Sequence, residues 1–137
     1  MISRVTSAKI FVELMRAYPW LTGLSPREWF DDPGNTALID ENENLFLLEG
    51  EEVPSLHYFF KSRGRDAVRA AKAFLAYYFD GGGRAVKGLT PVDKKGARWL
   101  SRQIGGKSYG IVYTIHGDFE LFILTKEEHY EFNSRGQ

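Results

Sequence analysis

Lys61-Ser62-Arg63-Gly64-Arg65-Asp66 gathers three cations, a hydroxyl and a glycine directly after an apolar, strand-like run. Where such a turn opens a helix, backbone amides and the helix dipole favour a phosphate, and the planar fork of arginine fits one well. Asp66 and Val68 stand where further glycines would bring the backbone closer to a diphosphate. His57 precedes the turn and alternates with Phe59 along the run, which makes it a candidate base for an amine proton; the competing reading is a structural histidine. Glu49, Glu51 and Glu52 form an acidic rim before the same run, as a second source of a base or as a solvated loop. His116 and His129 have no carboxylate at metal-ligand spacing, and no metal is expected.

The whole chain bounds these options. It has 137 residues, 43% of them hydrophobic, enough for one continuous core and one domain. Eighteen basic and eighteen acidic residues cancel, so no global field recruits nucleic acid or an anionic membrane, and neither is an expected partner. With no cysteine there is no disulfide, thiolate metal site or thiol nucleophile. The apolar runs fall short of a membrane span, and the chain reads as soluble and cytosolic.

Periodicity supplies the elements that must position the turn. Ile10, Phe11, Leu14, Met15 and Tyr18 recur at helical spacing up to Pro19, and Ser25-Pro26-Arg27-Glu28 carries the signature of a capped second helix. Thr36 to Ile39 and Leu45 to Glu49 read as a hairpin, and Ser55 to Lys61 as a central strand. Ala67 to Phe79 has a helical apolar face stopped by Gly81-Gly82-Gly83, Ala85 to Leu89 reads as a strand, and Lys94 to Ile104 as a helix with Ala97, Leu100 and Ile104 inward. Tyr109 to Ile115 and Phe119 to Leu124 form a closing hairpin. Trp99 falls off the inward face of its helix and is the candidate interface residue, with Trp20 and Trp29 as further contact aromatics. The expected class is α/β, a mixed central sheet with helices on both faces in the order α-α-β-β-β-α-β-α-β-β. Residues 1–34 hold the first helices, 35–126 the core and 127–137 a polar tail.

From Thr36 to Thr125 this arrangement resembles the GNAT fold of acetyl-CoA-dependent N-acetyltransferases. The stretches His57 to Arg65, Gly88 to Asp93, Ala97 to Gln103 and Glu120 to Lys126 resemble small GNAT-like proteins of tailed bacteriophages, some of them described as head-assembly proteins. The resemblance implies a single GNAT-like domain in which Phe59, Lys61, Arg63, Gly64 and Arg65 hold CoA if it binds. The family turn runs Arg or Gln, two residues, Gly, one residue, then Gly or Ala. In either alignment Asp66 takes one of the small-residue positions, where a carboxylate 4 Å from a phosphate would repel it by about 4 kcal/mol at an effective dielectric near 20. The competing reading has Asp66 capping the helix. In the last helix the family often places Asn three residues before an Ala and an acidic Tyr four after it; around Ala97 these are Lys94 and Ser101, and a serine hydroxyl is too weak an acid. Tyr113 or Tyr109 would have to substitute.

Two functions follow from the resemblance. In the first, the chain is a phage-encoded structural or assembly component working through contacts with other phage structural proteins or with itself, its acetyl transfer weak or lost. It would bind no cofactor and reside in the host cytoplasm during assembly or in the virion. In the second it is an active N-acetyltransferase using acetyl-CoA, with His57, Ser101 and Tyr113 as catalytic candidates.

Overall fold

The computed structural model describes residues 1–18, 24–50 and 52–135. Strands β1 (Ser3–Arg4), β2 (Asn35–Ile39), β3 (Leu45–Glu49), β4 (Ser55–Phe59), β5 (Ala85–Pro91), β6 (Lys107–Thr114) and β7 (Gly117–Thr125) form one mixed sheet in the order β1-β2-β3-β4-β5-β7-β6. Helices α1 (Ala8–Met15), α2 (Pro26–Asp31), α3 (Gly64–Asp80), α4 (Lys95–Gln103) and α5 (Lys126–Arg135) complete the described elements. β4 is central, as its apolar run requires. It pairs antiparallel with β3 and parallel with β5, with α3 as the crossover.

The two faces of the sheet hold separate cores. Alternation along β2 and β3 sends Ala37, Leu45 and Leu47 toward α1 and α2, where they meet Phe11, Met15 and Trp29. Leu38, Phe46 and Leu48 point the other way, onto Phe74, Leu75 and Phe79 of α3 and Leu100 and Ile104 of α4. Phe46 and Phe74 stack with ring centroids 5.1 Å apart. The capping box of α2 is formed as its sequence implies: the Glu28 amide donates to Ser25 Oγ (3.2 Å) and the Ser25 amide to Glu28 Oε1 (3.0 Å). After α3, Gly83 lies against the Tyr78 ring, and a Cβ there would sit 2.3 Å from it.

Several expectations change. Ile10 of α1 is exposed, since the helix buries only Phe11 and Met15. Pro19, Trp20, Glu51, Gly136 and Gln137 lie outside the described residues. The expected polar tail is helical from Lys126 to Arg135. Thr125 and Glu128 start α5 with reciprocal bonds, the Glu128 amide to Thr125 Oγ1 (3.1 Å) and the Thr125 amide to Glu128 Oε1 (3.0 Å), and His129 inserts beside Phe79.

Burial lowers the pKa of His129 below its ordinary 6.5, Asp80 opposes this and Lys72 reinforces it. The folded chain therefore keeps the ring neutral where the unfolded chain binds a proton. This contribution to stability is complete above the unfolded value near 6.5 and is lost as pH falls through it toward the folded pKa. Thermal midpoints measured from about pH 7.5 to about pH 5 are expected to fall in the wild type and to fall less steeply in His129→Phe. Equal slopes would contradict a neutral buried ring.

Candidate functional site

β4 and β5 share a single register pair, Ser55 with Lys87, supported by the Lys87 amide donating to the Pro54 carbonyl (3.0 Å). Above that contact the strands have no further register pair, and a cavity of about 360 Å³ lies beside β4 under the starts of α3 and α4. Tyr58, Phe59 and Phe60 come from β4 and the residue after it, Arg63 and Gly64 from the turn and α3, and Gly96, Ala97 and Trp99 from α4. Tyr18 closes the α1 side, its ring 5.0 Å from that of Phe59. Gly64 adopts a φ of +57°, in the left-handed region that favours glycine, and a Cβ added at Gly64 or Gly96 would meet nothing within 4 Å. Both walls are therefore roomy.

Asn44, fully buried at the start of β3, fastens the basic turn. Its Oδ1 accepts from the Lys61 and Ser62 amides (2.8 and 3.0 Å), and its Nδ2 donates to Asp40 Oδ2 and Ser62 Oγ (3.0 and 2.9 Å). Those two turn amides are thereby used. The amides of Gly64 and Arg65, at the first two positions of α3, have no acceptor inside the helix. Arg63 donates from Nη1 to the Phe60 carbonyl (2.6 Å), which draws its guanidinium toward the end of β4.

Of the five residues expected to hold CoA, Phe59, Arg63 and Gly64 line the cavity, whereas Lys61 and Arg65 do not. Lys61 Nζ pairs with Glu43 on the far side of the turn. Asp66 is a correction: it neither enters the cradle nor caps the helix. It lies 3.4 Å from Arg69 and borders a separate, open hollow of about 780 Å³ with Asp40, Glu41 and Lys61, where opposite charges largely pair among themselves. The Asp66 carboxylate thus pairs with Arg69 and is not part of the cavity lining.

The catalytic candidates divide by location. His57 lies on the same face of β4 as Phe59, with Nε2 buried and 3.5 Å from Glu49 Oε1, too long for a hydrogen bond; the other oxygen of Glu49 accepts from Trp29 Nε1 (3.0 Å). The two separate base candidates, His57 and Glu49, are therefore neighbours, held by a buried indole. Ser101 is buried in α4, donates to the Ala97 carbonyl (3.1 Å) and does not line this cavity. Tyr109 and Tyr113 are exposed on β6, remote from the lining. Ala97, expected inward, is exposed at the cavity mouth, while Leu100 and Ile104 are buried, and Trp99 is 43% exposed.

Tyr58 was not among the expected site residues. Its hydroxyl oxygen is buried with no hydrogen-bond partner among the described residues, and burial pushes its pKa well above the ordinary phenol value of 10.0. It is a neutral donor, unsuited to giving up its proton. α4, which carries the opposite wall, is latched to the sheet by Glu120 of β7. This buried carboxylate accepts from Arg98 Nε (2.8 Å), Arg102 Nη2 (2.8 and 3.1 Å) and Ser108 Oγ (2.7 Å).

No protein-family model matches the sequence, and no curated protein is similar to it in sequence. Solved structures do share its fold. A chimera of the spermidine N-acetyltransferase SpeG from Vibrio cholerae and hSSAT superposes with a TM-score of 0.72 at 9% identity, covering 95% of this chain and 99% of that one. The aminoglycoside acetyltransferase AAC(6')-Ib in complex with coenzyme A gives 0.71 at 11% identity over 96% and 98% of the two chains. Mycobacterium smegmatis RimJ in complex with CoA-disulfide gives 0.70 at 11% identity over 98% and 88%. The chain has the GNAT fold: a single α/β domain with a mixed seven-stranded sheet and helices on both faces. Among the described residues no helix is long and apolar enough to cross a membrane.

Proposed function

We propose that this protein binds an acyl-CoA-type thioester in the gap beside β4, under the starts of α3 and α4, and transfers the acyl group to an amine. The observation that carries the reading is the open gap itself, bordered by Arg63 and Gly64 while Asp66 turns away. Its volume falls within the ~300–1,000 Å³ usual for cofactor sites, and the donor set suits the ligand. Arg63 and the first amides of α3 suit phosphate, the Tyr58 hydroxyl offers an unused donor, and the aromatic wall suits the pantetheine arm. That AAC(6')-Ib, in complex with coenzyme A, and RimJ, in complex with CoA-disulfide, share this fold supports a ligand of this class.

Bound there, acetyl-CoA supplies an activated acyl group. His57, beside Glu49 on the α1–α2 face and outside the cavity lining, would take the proton that the acceptor amine releases. Ser101, committed to the Ala97 carbonyl, donates no proton to a departing thiolate. A thiol ionises near pH ~8.5, so the thiolate can leave unprotonated, and turnover is expected to be slow rather than absent.

Calorimetric titration with CoA tests this reading. A Kd of about 1–100 μM is expected, weakened roughly tenfold or more by Arg63→Ala. Ala97→Trp, which fills the mouth from an exposed position, is expected to abolish binding with little change in thermal midpoint. No heat at about 1 mM CoA would remove the reading.

The missing proton donor favours a second reading. In it the chain is a bacteriophage structural or assembly component acting through protein contacts, with acetyl transfer weak or lost. Retention in purified particles together with no CoA binding would select it.

A further inference from the structure

Arg63 and the first two amides of α3 mark the phosphate end of the gap, and at about 360 Å³ the cavity is near the lower bound for a cofactor site. A nucleoside joined to phosphates held there is carried out through the mouth. Trp99 stands at that mouth. It lines the cavity together with Gly64 and Ala67 of α3 and Gly96 of α4, and 43% of it is exposed. Among the described residues no aromatic ring or cation packs on the indole, and its Nε1 has no hydrogen-bond partner. Gly96 lies one turn earlier on the same face of α4, and a Cβ added there would meet nothing within 4 Å. A broad aromatic surface is thus left open next to the phosphate-binding turn.

We infer that Trp99 is the platform on which the purine base of the coenzyme stacks, so that the donor is selected by its nucleotide half and a phosphopantetheine thioester on a carrier protein is disfavoured. The inference rests on acyl-CoA binding in the gap. Two observations favour a nucleotide over a protein side chain as the occupant. Aromatic side chains hold bases of any kind through their π faces, and this one shares a cavity wall with the residues suited to phosphate. The mouth is also positively charged. Arg65 at the start of α3 and Lys94 and Lys95 at the start of α4 are exposed and form no ion pair among the described residues. Of the carboxylates adjoining them in sequence, Asp66 pairs with Arg69, and only Asp93 offsets the three cations. A coenzyme with a diphosphate and a further phosphate on its ribose matches that excess, whereas an apolar protein contact makes no use of it.

Calorimetric titration of the full chain with CoA and with phosphopantetheine tests the inference. Trp99→Ala is expected to weaken CoA about 10-fold to about 100-fold and to change phosphopantetheine affinity less than about twofold, with an unchanged thermal midpoint. Trp99→Phe keeps an aromatic face and is expected to stay within about fivefold of the wild type for CoA. CoA should also quench tryptophan fluorescence in the wild type and not in Trp99→Phe, a signal readable even where phosphopantetheine is too weak to titrate. A Trp99→Ala chain that binds CoA as tightly as the wild type would overturn the inference and leave acyl-CoA binding standing, and so would equal losses for the two ligands or quenching that persists in Trp99→Phe. A wild type that binds no CoA removes the inference together with the reading on which it rests.

Discussion

Glu120→Ala is expected to lower the unfolding free energy by about 3–5 kcal/mol in urea denaturation, the usual loss when one partner of a buried ion network is removed. The carboxylate is 4% exposed and joins two arginines of α4 to Ser108 of β6, so its removal strands three donors. Arg98 also donates to the Val92 carbonyl (2.9 Å), and this tie alone would then hold its guanidinium. Because α4 forms one wall of the gap, CoA binding is expected to weaken in the same variant. Glu120→Gln keeps the shape and part of the hydrogen bonding, and should cost less.

The charge has a pH signature. Burial by itself would raise the pKa of Glu120, but hydrogen bonds from Ser108 and Arg98 and the charge of Arg102 outweigh it and hold the carboxyl below its ordinary 4.5. A group depressed in this way stabilises the fold above the unfolded value and loses that contribution as pH falls below about 4.5 through the folded pKa. Acid unfolding of Glu120→Gln should therefore be less steep than that of the wild type. A loss below about 1 kcal/mol for Glu120→Ala would show that the latch does not hold α4.

Asn44→Ala is expected to cost about 2–4 kcal/mol, again by urea denaturation. One buried side chain satisfies the amides of Lys61 and Ser62 and bonds Asp40 and Ser62, so truncation leaves those two amides and the Ser62 hydroxyl without it. The turn carrying Arg63 and Gly64 should loosen with it. CoA affinity is then expected to fall even in buffer where the variant remains folded, although Asn44 does not line the gap. Asn44→Asp keeps the acceptors but sets a carboxylate against Asp40, and it should lose stability more strongly as pH rises. Wild-type stability in Asn44→Ala would mean that the turn is held by other contacts.

Local signals located most of the fold. The capping box of α2, the glycines after α3, the β2–β3 hairpin and the apolar run of β4 each state their conformation within a few residues. β1 is legible only through its pairing with β2, since two residues carry no period. α5 announces its start in Thr125-Lys126-Glu127-Glu128, but no apolar run follows, and its anchor is a histidine against Phe79.

The site was harder to read because it depends on direction. Asp66 falls in the phosphate turn in any linear alignment. Helical residues advance about 100° each, so two positions beyond Gly64 the side chain points roughly 200° around the axis. That rotation carries it to Arg69 and leaves the gap to Arg63 and Gly64. His57 and Glu49 lie eight residues apart and meet through the β3–β4 register, which pairs Leu47 with His57 and Glu49 with Ser55. Tyr58 and Asn44 gave no signal, because a tyrosine in an apolar strand reads as packing and an asparagine in a hairpin reads as a turn former.

The location of bound CoA in a crystal of the complex tests the central claim most directly. The account predicts its phosphates against the Gly64 and Arg65 amides with Arg63 alongside, and its pantetheine arm along β4 within reach of the Tyr58 hydroxyl. A gap that stays empty at about 1 mM CoA, or CoA lodged instead in the charged hollow beside Asp66, would contradict it.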